Sequence, residues 1–386
     1  MKVTSEIEIN KAAYKNNLSF IQSLIGDNCV FSSVIKGNAY GHGIETFGPM
    51  AEEVGVRHFS VFSAYEAHRF HKVSNGESTI IIMGVADHPD ELEWAIALGI
   101  EFFVFDVERL QKAVKIAKKI RKKAIVHIEI ETGMNRTGFC VDELKEVIQF
   151  IQDNEQHLTV KGLCTHFAGA ESITNYFRVK KQIVTYNRIA KIFHSNQIMF
   201  PQKHTACSAA VINYPQTIQD LVRVGIMQYG FWPSRESQMK YYTKNKINTN
   251  PLQPVISWKS YVMGTKSVAA GEYISYGTTV LAETDMEIAT VPVGYAHGFS
   301  RSLSNQGKVI INGHRLDVVG LVNMNMMIVD ITNTPEVKKG DTVILIGEQD
   351  GISISVASFG EMSNQLNYEL LTRLPEDIPR TVINKL

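Results

Sequence analysis

The sequence predicts an α/β barrel of the TIM type, a (β/α)8 unit, followed by a second domain built mainly of β-strands. Three observations predict it. Between about residue 28 and residue 230, eight short apolar runs alternate with longer amphipathic ones, as strands alternate with helices around a parallel barrel. After about residue 235 the pattern changes to strand-like stretches separated by turn signals. No Gly-X-Gly-X-X-Gly follows the first apolar run, which counts against the alternative, a doubly wound open sheet.

Taken in order, Val3–Ile9 alternates like a strand and precedes the barrel, with either domain open to it as a pairing partner. The eight apolar runs are Cys29–Ile35, His58–Phe62, Thr79–Met83, Glu101–Phe105, Ala124–Ile130, Leu158–Thr165, His204–Cys207 and Val222–Gln228. Segments such as Val107–Lys119 and Asp142–Ile151 carry helical periodicity between them. Residues 236–250 are polar and aperiodic and read as a linker or surface loop. Strand-like stretches follow at Val255–Met263, Met286–Val293, Lys308–Asn312, Met326–Ile331 and Thr342–Ile346, with Asn312-Gly313 and Lys339-Gly340-Asp341 as turns. The expected division is a barrel over residues 1–240 and a β domain over residues 241–386, with no internal repeat.

A chain of 386 residues, 44% hydrophobic and 20% charged, is long enough for two substantial cores. Its 39 basic and 39 acidic side chains leave no net field to recruit nucleic acid or an anionic membrane. The basic run Lys118, Lys119, Arg121, Lys122, Lys123 reads as a solvated helix end. The N-terminus lacks the apolar core of a signal peptide, and no uncharged apolar stretch reaches the roughly 18 residues that span a bilayer. The four cysteines lie far apart, with no Cys-X-X-Cys pair and no histidines at zinc spacing. No metal site is expected, and a cytoplasmic location is.

The first apolar run ends at Lys36, followed by Gly37-Asn38-Ala39-Tyr40-Gly41-His42-Gly43. That places a lysine at the carboxyl-terminal mouth of a barrel, where active sites are built. Partial desolvation there lowers an ammonium's pKa and suits Schiff-base chemistry, and the glycines let backbone approach a ligand closely. The plain alternative is a strand-end lysine reaching to solvent. Independently, Ser208 after the seventh run and Gly225-Ile226 after the eighth stand where barrels commonly bind phosphate through backbone N–H groups and hydroxyls.

The stretch VIKGNAYGHG (34–43) resembles the cofactor-lysine signature of the alanine racemases, pyridoxal-phosphate enzymes of fold type III. Further similar segments follow in the family's order: ETGMNRTGF (131–139), THFAGAES (165–172), CSAAVI (207–212), RVGIMQYG (223–230), ISYGTT (274–279), VPVGYAHG (291–298) and NYELL (367–371). The resemblance implies pyridoxal 5'-phosphate on Lys36, with Tyr40, Ser208, Gly225, Ile226 and Tyr368 at its phosphate. It implies His166 against the cofactor ring and Arg223 at the ring nitrogen, where a permanently charged guanidinium keeps that nitrogen unprotonated. Racemisation needs an acid and a base on opposite faces of a planar carbon, and the resemblance assigns them to Lys36 and Tyr276, the tyrosine coming from the partner of a homodimer. Arg136 and the backbone N–H of Met324 would hold the substrate carboxylate, and Tyr295 would line the pocket mouth.

The chain also departs from the family. Glu129 stands where many relatives have a carbamylated lysine, and as an anion it is expected to orient Arg136. Asn323-Met324-Asn325 replaces the usual Cys-Met-Asp, and His297 replaces an aspartate, removing two acidic groups. The implied activity is interconversion of L- and D-alanine, with a racemase for serine or a longer amino acid as the alternative. A fold-type III decarboxylase fits less well, because its motifs are missing and Arg223 would be acidic. A non-catalytic pyridoxal-phosphate-binding protein would need no β domain carrying Tyr276.

Overall fold

The computed structural model describes residues 3–363 and 367–385. The chain divides into two compact units, one of residues 14–36 and 48–253, the other of residues 1–13, 37–47 and 254–386. The first strand, β1 (Glu6–Asn10), belongs to the second of these.

The larger unit carries eight parallel strands: β2 (Val30–Val34), β3 (His58–Ser63), β4 (Thr79–Val85), β5 (Glu101–Val104), β6 (Ala124–Glu129), β7 (Leu158–Cys164), β8 (Gln202–His204) and β9 (Leu221–Val224). Their order is β8-β7-β6-β5-β4-β3-β2-β9, so chain neighbours pair throughout and β9 returns to lie beside β2. Across the remaining seam, Asp220 N–H donates to the Lys203 carbonyl and Arg223 N–H to that of Ala206. The barrel is thereby nearly closed, as the eight apolar runs predict.

Strands buried on both faces must be apolar almost throughout, and β5 is buried at all four positions. Some of the helices between them begin on side-chain caps. Asp106 accepts from the Arg109 N–H at the start of the helix Val107–Ile120, and Ser63 does the same for Glu66 ahead of Ala64–Val73. Apolar faces of the helices Lys11–Ile25, Tyr176–Ser195 and Ser208–Asn213 meet β9 in one cluster that includes Ile21, Val179, Val211, Val222 and Val224.

The linker expected at 236–250 is in part a helix, Arg235–Asn245. Ser234 caps it by accepting from Ser237 N–H, and Tyr241 packs 5.4 Å from both Trp232 and Phe20. A helix that is polar nearly all round leaves no 3.6-residue apolar rhythm, so periodicity missed it.

Among the described residues, the second unit carries a sheet of ten strands. After β1 come β10 (Ile256–Tyr261), β11 (Gly264–Val268), β12 (Met286–Val291), β13 (Lys308–Ile311), β14 (His314–Val319), β15 (Met327–Asp330), β16 (Thr342–Gln349), β17 (Ile352–Ile354) and β18 (Arg380–Ile383). The order is β11-β12-β15-β14-β13-β16-β10-β1-β18, with β17 paired to β16. The amino-terminal strand thus lies antiparallel to β10 and parallel to β18. Asn312 and Gly313, both at positive φ, make the hairpin between β13 and β14.

Candidate functional site

In the barrel unit, Lys36 stands two residues past the end of β2, at the carboxyl-terminal side of the strands. Its side chain reaches solvent, yet it is set among enough protein that desolvation is the first cause of a lowered pKa. The positive charges of Arg136 and Arg223 lower it further, against smaller opposing effects of Glu66 and Cys207. A lysine in that position gives up its proton more easily than a surface lysine, as a nucleophile or base must.

Arg223 is the third residue of β9 and is only 6% exposed. Its Nη2 donates to the Thr165 carbonyl at 2.8 Å, and its guanidinium carbon lies 5.5 Å from the centre of the Phe103 ring. Its Nε is buried without a hydrogen-bond partner. His166 follows β7 two residues on and is half-buried. Burial, then the charges of Arg223, Arg136 and Lys36, push its pKa down to about 3, so the imidazole is neutral at physiological pH. Lys36, Arg136, His166 and Arg223 therefore share one electrostatic neighbourhood with an excess of positive charge.

Ser208 is the first residue of the short helix Ser208–Asn213, and its Oγ accepts from the Gly225 N–H at 3.0 Å. Gly225 precedes a 3-10 turn, Ile226–Tyr229. The two segments read from sequence as a phosphate cradle thus meet in space.

Arg136 sits in a loop organised by Glu131, whose carboxylate accepts from the N–H groups of Gly133, Asn135 and Arg136. Burial works against the Glu131 charge, but these backbone bonds outweigh it and leave its pKa below the ordinary value. The sequence reading missed this positioning carboxylate; its signal is an acid opening a Gly-Asn loop, where a side chain can collect backbone donors. Glu129, expected to orient Arg136, is buried and accepts instead from Thr137 Oγ1 at 2.9 Å. Desolvation raises its pKa against that hydrogen bond and the charges of Arg223 and Arg136, so its influence on Arg136 is through the field rather than a hydrogen bond.

In the second unit, Gly37, Asn38, Ala39, Tyr40 and Gly41 all have positive φ and form one left-handed turn. Three successive non-glycine residues there cost about 1–2 kcal/mol each, and the turn is held by its surroundings. Gly41 N–H donates to the Gly37 carbonyl, and His42 Nδ1 lies 3.0 and 2.9 Å from the carbonyls of Ala39 and Tyr40. The Tyr40 ring meets that of Tyr368 at 5.9 Å, which brings together two of the expected phosphate-site tyrosines.

Tyr276 is 69% exposed between Ser275 and Gly277, both at positive φ, which thrusts its ring outward. Ser275 Oγ lies 2.9 Å from the Leu321 carbonyl and 3.3 Å from Asn323 Oδ1, so Asn323 steadies that turn. Tyr276, Tyr295, Arg301, Asn323, Met324 and Asn325 line one cleft. His297 Nδ1 accepts from Gly294 N–H at 3.2 Å and closes the turn Tyr295–His297, a task an aspartate could also perform. The sequence reading also missed polar groups inside the barrel: Glu101, His127 and His204 are all buried there. A histidine within AIVHIE and a glutamate opening EFFV are the signal, since buried polar groups on barrel strands require partners. Among the described residues no group of three or more His, Cys, Asp and Glu side chains is placed to hold a metal ion.

A parallel barrel that gathers a lysine of lowered pKa, two arginines and a serine–glycine contact at one end of its strands has the form of an enzyme of the barrel class, with its positive charge at the face where such enzymes build their sites. Residues 9–233 match the family model "alanine racemase, N-terminal domain", and residues 255–382 match its C-terminal domain. An alanine racemase of Leptospira interrogans is 30% identical over 384 residues, covering 99% of this chain and 96% of that one. The solved alanine racemase of Clostridium difficile 630 superposes with a TM-score of 0.89 at 29% identity, over 100% of this chain and 97% of that one. An alanine racemase of Bartonella henselae, solved with covalently bound pyridoxal phosphate, gives 0.83 at 26% identity, over 99% and 100%. The chain belongs to the alanine racemase family.

Proposed function

We propose that the protein is a pyridoxal-phosphate-dependent racemase that interconverts L- and D-alanine with Lys36 and Tyr276 as its two bases. The observation that carries this reading is the convergence of Lys36, Arg136, His166 and Arg223 within one field, with the Lys36 pKa lowered by burial and by the two arginines. The residues fit the cofactor on their own chemistry. A buried Arg223 with an unpaired Nε suits an aromatic nitrogen acceptor near its guanidinium, and Ser208 with the Gly225-Ile226 turn suits a phosphate. Tyr40 and Tyr368 would complete the phosphate site. When bound, the cofactor draws electron density from the amino acid's α-carbon and so acidifies its C–H bond.

The protein's part is binding and proton transfer. Arg136 holds the substrate carboxylate through its planar fork, aided by the Met324 backbone N–H. His166, neutral, packs beside the ring without adding charge. Lys36 Nζ takes or returns the α-proton on one face and Tyr276 Oη does so on the other. Tyr295 narrows the mouth. In this reading the active form is a homodimer in which Tyr276 is supplied by the partner, consistent with its exposed, outward-turned ring. A cytoplasmic setting accords with four cysteines that are all unpaired. No described helix is long and apolar enough to cross a membrane.

The test is to load purified protein with pyridoxal phosphate, reduce it with borohydride, map the modified residue by mass, and assay D-alanine formed from L-alanine. Modification confined to Lys36 together with D-alanine production is expected. Protein that takes up no cofactor, or that carries it on another lysine, would overturn the assignment.

A further inference from the structure

The loops that carry Arg136 and His166 are fastened to one helix. Along Tyr176–Ser195, Arg178, Gln182 and Tyr186 recur at four-residue spacing and so share a face, and Gln182 and Tyr186 are buried. Tyr186 Oη donates to the Leu163 carbonyl of β7 at 2.8 Å. One turn before it, Gln182 engages its whole amide. Oε1 accepts from Ala168 N–H at 2.8 Å, and Nε2 donates to the His166 carbonyl at 2.9 Å and to Thr132 Oγ1 at 3.1 Å. A turn earlier again, Arg178 Nε donates at 3.0 Å to the carbonyl of Gly133, in the loop that holds Arg136.

The hydrogens of this network have one consistent arrangement. A backbone N–H only donates, so the Gln182 atom facing Ala168 is the oxygen and the nitrogen meets the two acceptors. Thr165 Oγ1 donates to the Ile130 carbonyl at 2.9 Å, so it accepts from Thr132 Oγ1 at 2.8 Å. Thr132 Oγ1 in turn accepts from Gln182. The carbonyls of Thr165 and His166 go to different partners, the first to Arg223 Nη2 at 2.8 Å and the second to Gln182. Arg223 is thus held through Nη2, which leaves its Nε for the ligand. By binding the His166 carbonyl and the Ala168 N–H together, the Gln182 amide acts as a residue of a parallel neighbouring strand would, beyond the end of β7.

We infer that Gln182 and Thr132 are positioning residues that fix Arg136 relative to His166 and Arg223: Gln182 holds the main chain at His166, and Thr132 extends that restraint to the loop of Arg136. The inference rests on the proposed function only for what these three side chains face. Glu131 shapes the loop from inside by gathering the N–H groups of Gly133, Asn135 and Arg136. Thr132 and the Gly133 carbonyl then attach the shaped loop to the barrel. A racemase gains from this arrangement. A carboxylate anchor set at a fixed separation from the ring contacts keeps the α-carbon in one place for proton transfer on either face.

Two variants at Thr132 separate hydrogen bonding from packing. Thr132→Val keeps the shape and removes the hydroxyl, whereas Thr132→Ser keeps the hydroxyl and loses a methyl. Thr132→Val should raise KM for alanine about fivefold, the scale of one hydrogen bond, with kcat within about twofold. Thr132→Ser should stay within about twofold of wild type in both constants. Equal KM values in the two variants, or a larger rise in Thr132→Ser, would overturn the inference. Amide hydrogen exchange of the full chain, read by mass, gives a measure apart from activity. Gln182→Met should speed exchange in segments 131–139 and 165–172, Thr132→Val in the first alone, and Thr132→Ser in neither. Unchanged exchange of 131–139 in Thr132→Val would overturn the inference, and that result stands even where Gln182→Met does not fold. Wild-type protein that forms no D-alanine would overturn the proposed function, while exchange in the two Thr132 variants would still decide the positioning.

Discussion

Acidification from pH 7 to pH 5.5 should destabilise this protein sharply, because it buries histidines in their neutral form. Burial pushes the pKa of His42 down to about 3 and that of His58 to about 4; burial and the neighbouring cations take His166 to about 3. His127 and His204 are lowered in the same direction. In the unfolded chain each imidazole titrates near about 6.5. As pH falls through that value the unfolded state takes up protons that the folded state refuses, so stability is full above it and is lost below it. Each ring held neutral then costs about 1.2 kcal/mol between pH 7 and 5.5. His42 and His58 together give about 2.5 kcal/mol, and His166 brings the sum to about 4 kcal/mol. His127 and His204 add to this. Glu129, its pKa raised by burial, works the other way. A loss of 4 kcal/mol corresponds to a fall in Tm of about 5 °C for a chain of this length. Calorimetry at fixed ionic strength would measure it, and His58→Gln should remove about 1.2 kcal/mol of the effect. A melting temperature constant within about 2 °C across that range would refute the reasoning.

Three further outcomes are expected. Gly41→Ala should lower the melting temperature and the cofactor affinity together, since its φ is +79° and a Cβ would stand 1.9 Å from the Leu371 carbonyl oxygen; an unchanged melt would show that the left-handed turn is not under that constraint. Glu129→Gln removes a buried charge from the field at Arg136 and should raise KM for alanine several-fold with little change in kcat; steady-state kinetics with an unchanged KM would discard the role. Tyr276→Phe should cut racemisation by about 10²–10⁴, while exchange of the α-hydrogen with deuterated water persists for one enantiomer only. Exchange retained for both enantiomers would mean that Tyr276 is not the second base.

The barrel was legible because its strands are buried on both faces, so each is an uninterrupted apolar run that ends where polar loop chemistry begins. β8 shows the limit of that signal: the run at His204–Cys207 marked the right place, but the strand is Gln202–His204, shifted toward polar residues that carry no hydrophobic mark. In the second unit, β11 and β14 escaped notice because most of their side chains face water, with Lys266 and Ser267 in one and His314 and Arg315 in the other. The left-handed turn after Lys36 could not be read at all. Glycines permit it, but Asn38, Ala39 and Tyr40 have no intrinsic preference for positive φ, and only tertiary contacts hold them there.

The site divides along the same line. Lys36, Ser208, Arg223 and Gly225 are polar residues or glycines at strand ends, where the barrel itself says chemistry belongs, so position alone recommended them. Tyr276 had no such local warrant and was found only through resemblance. Glu131, Glu101, His127 and His204 were overlooked for the opposite reason, since they touch no expected ligand. The trace of Glu101, His127 and His204 in the sequence is a violation: charged and imidazole side chains at positions the strand pattern requires to be apolar. A buried polar group must be paired, so each violation implies a partner, and following partners from Glu101 leads through His127 to His204, whose ring lies against the same Phe103 as the arginine of the site. In a barrel, the residues that break the apolar pattern are therefore the ones from which the machinery behind a catalytic face can be traced.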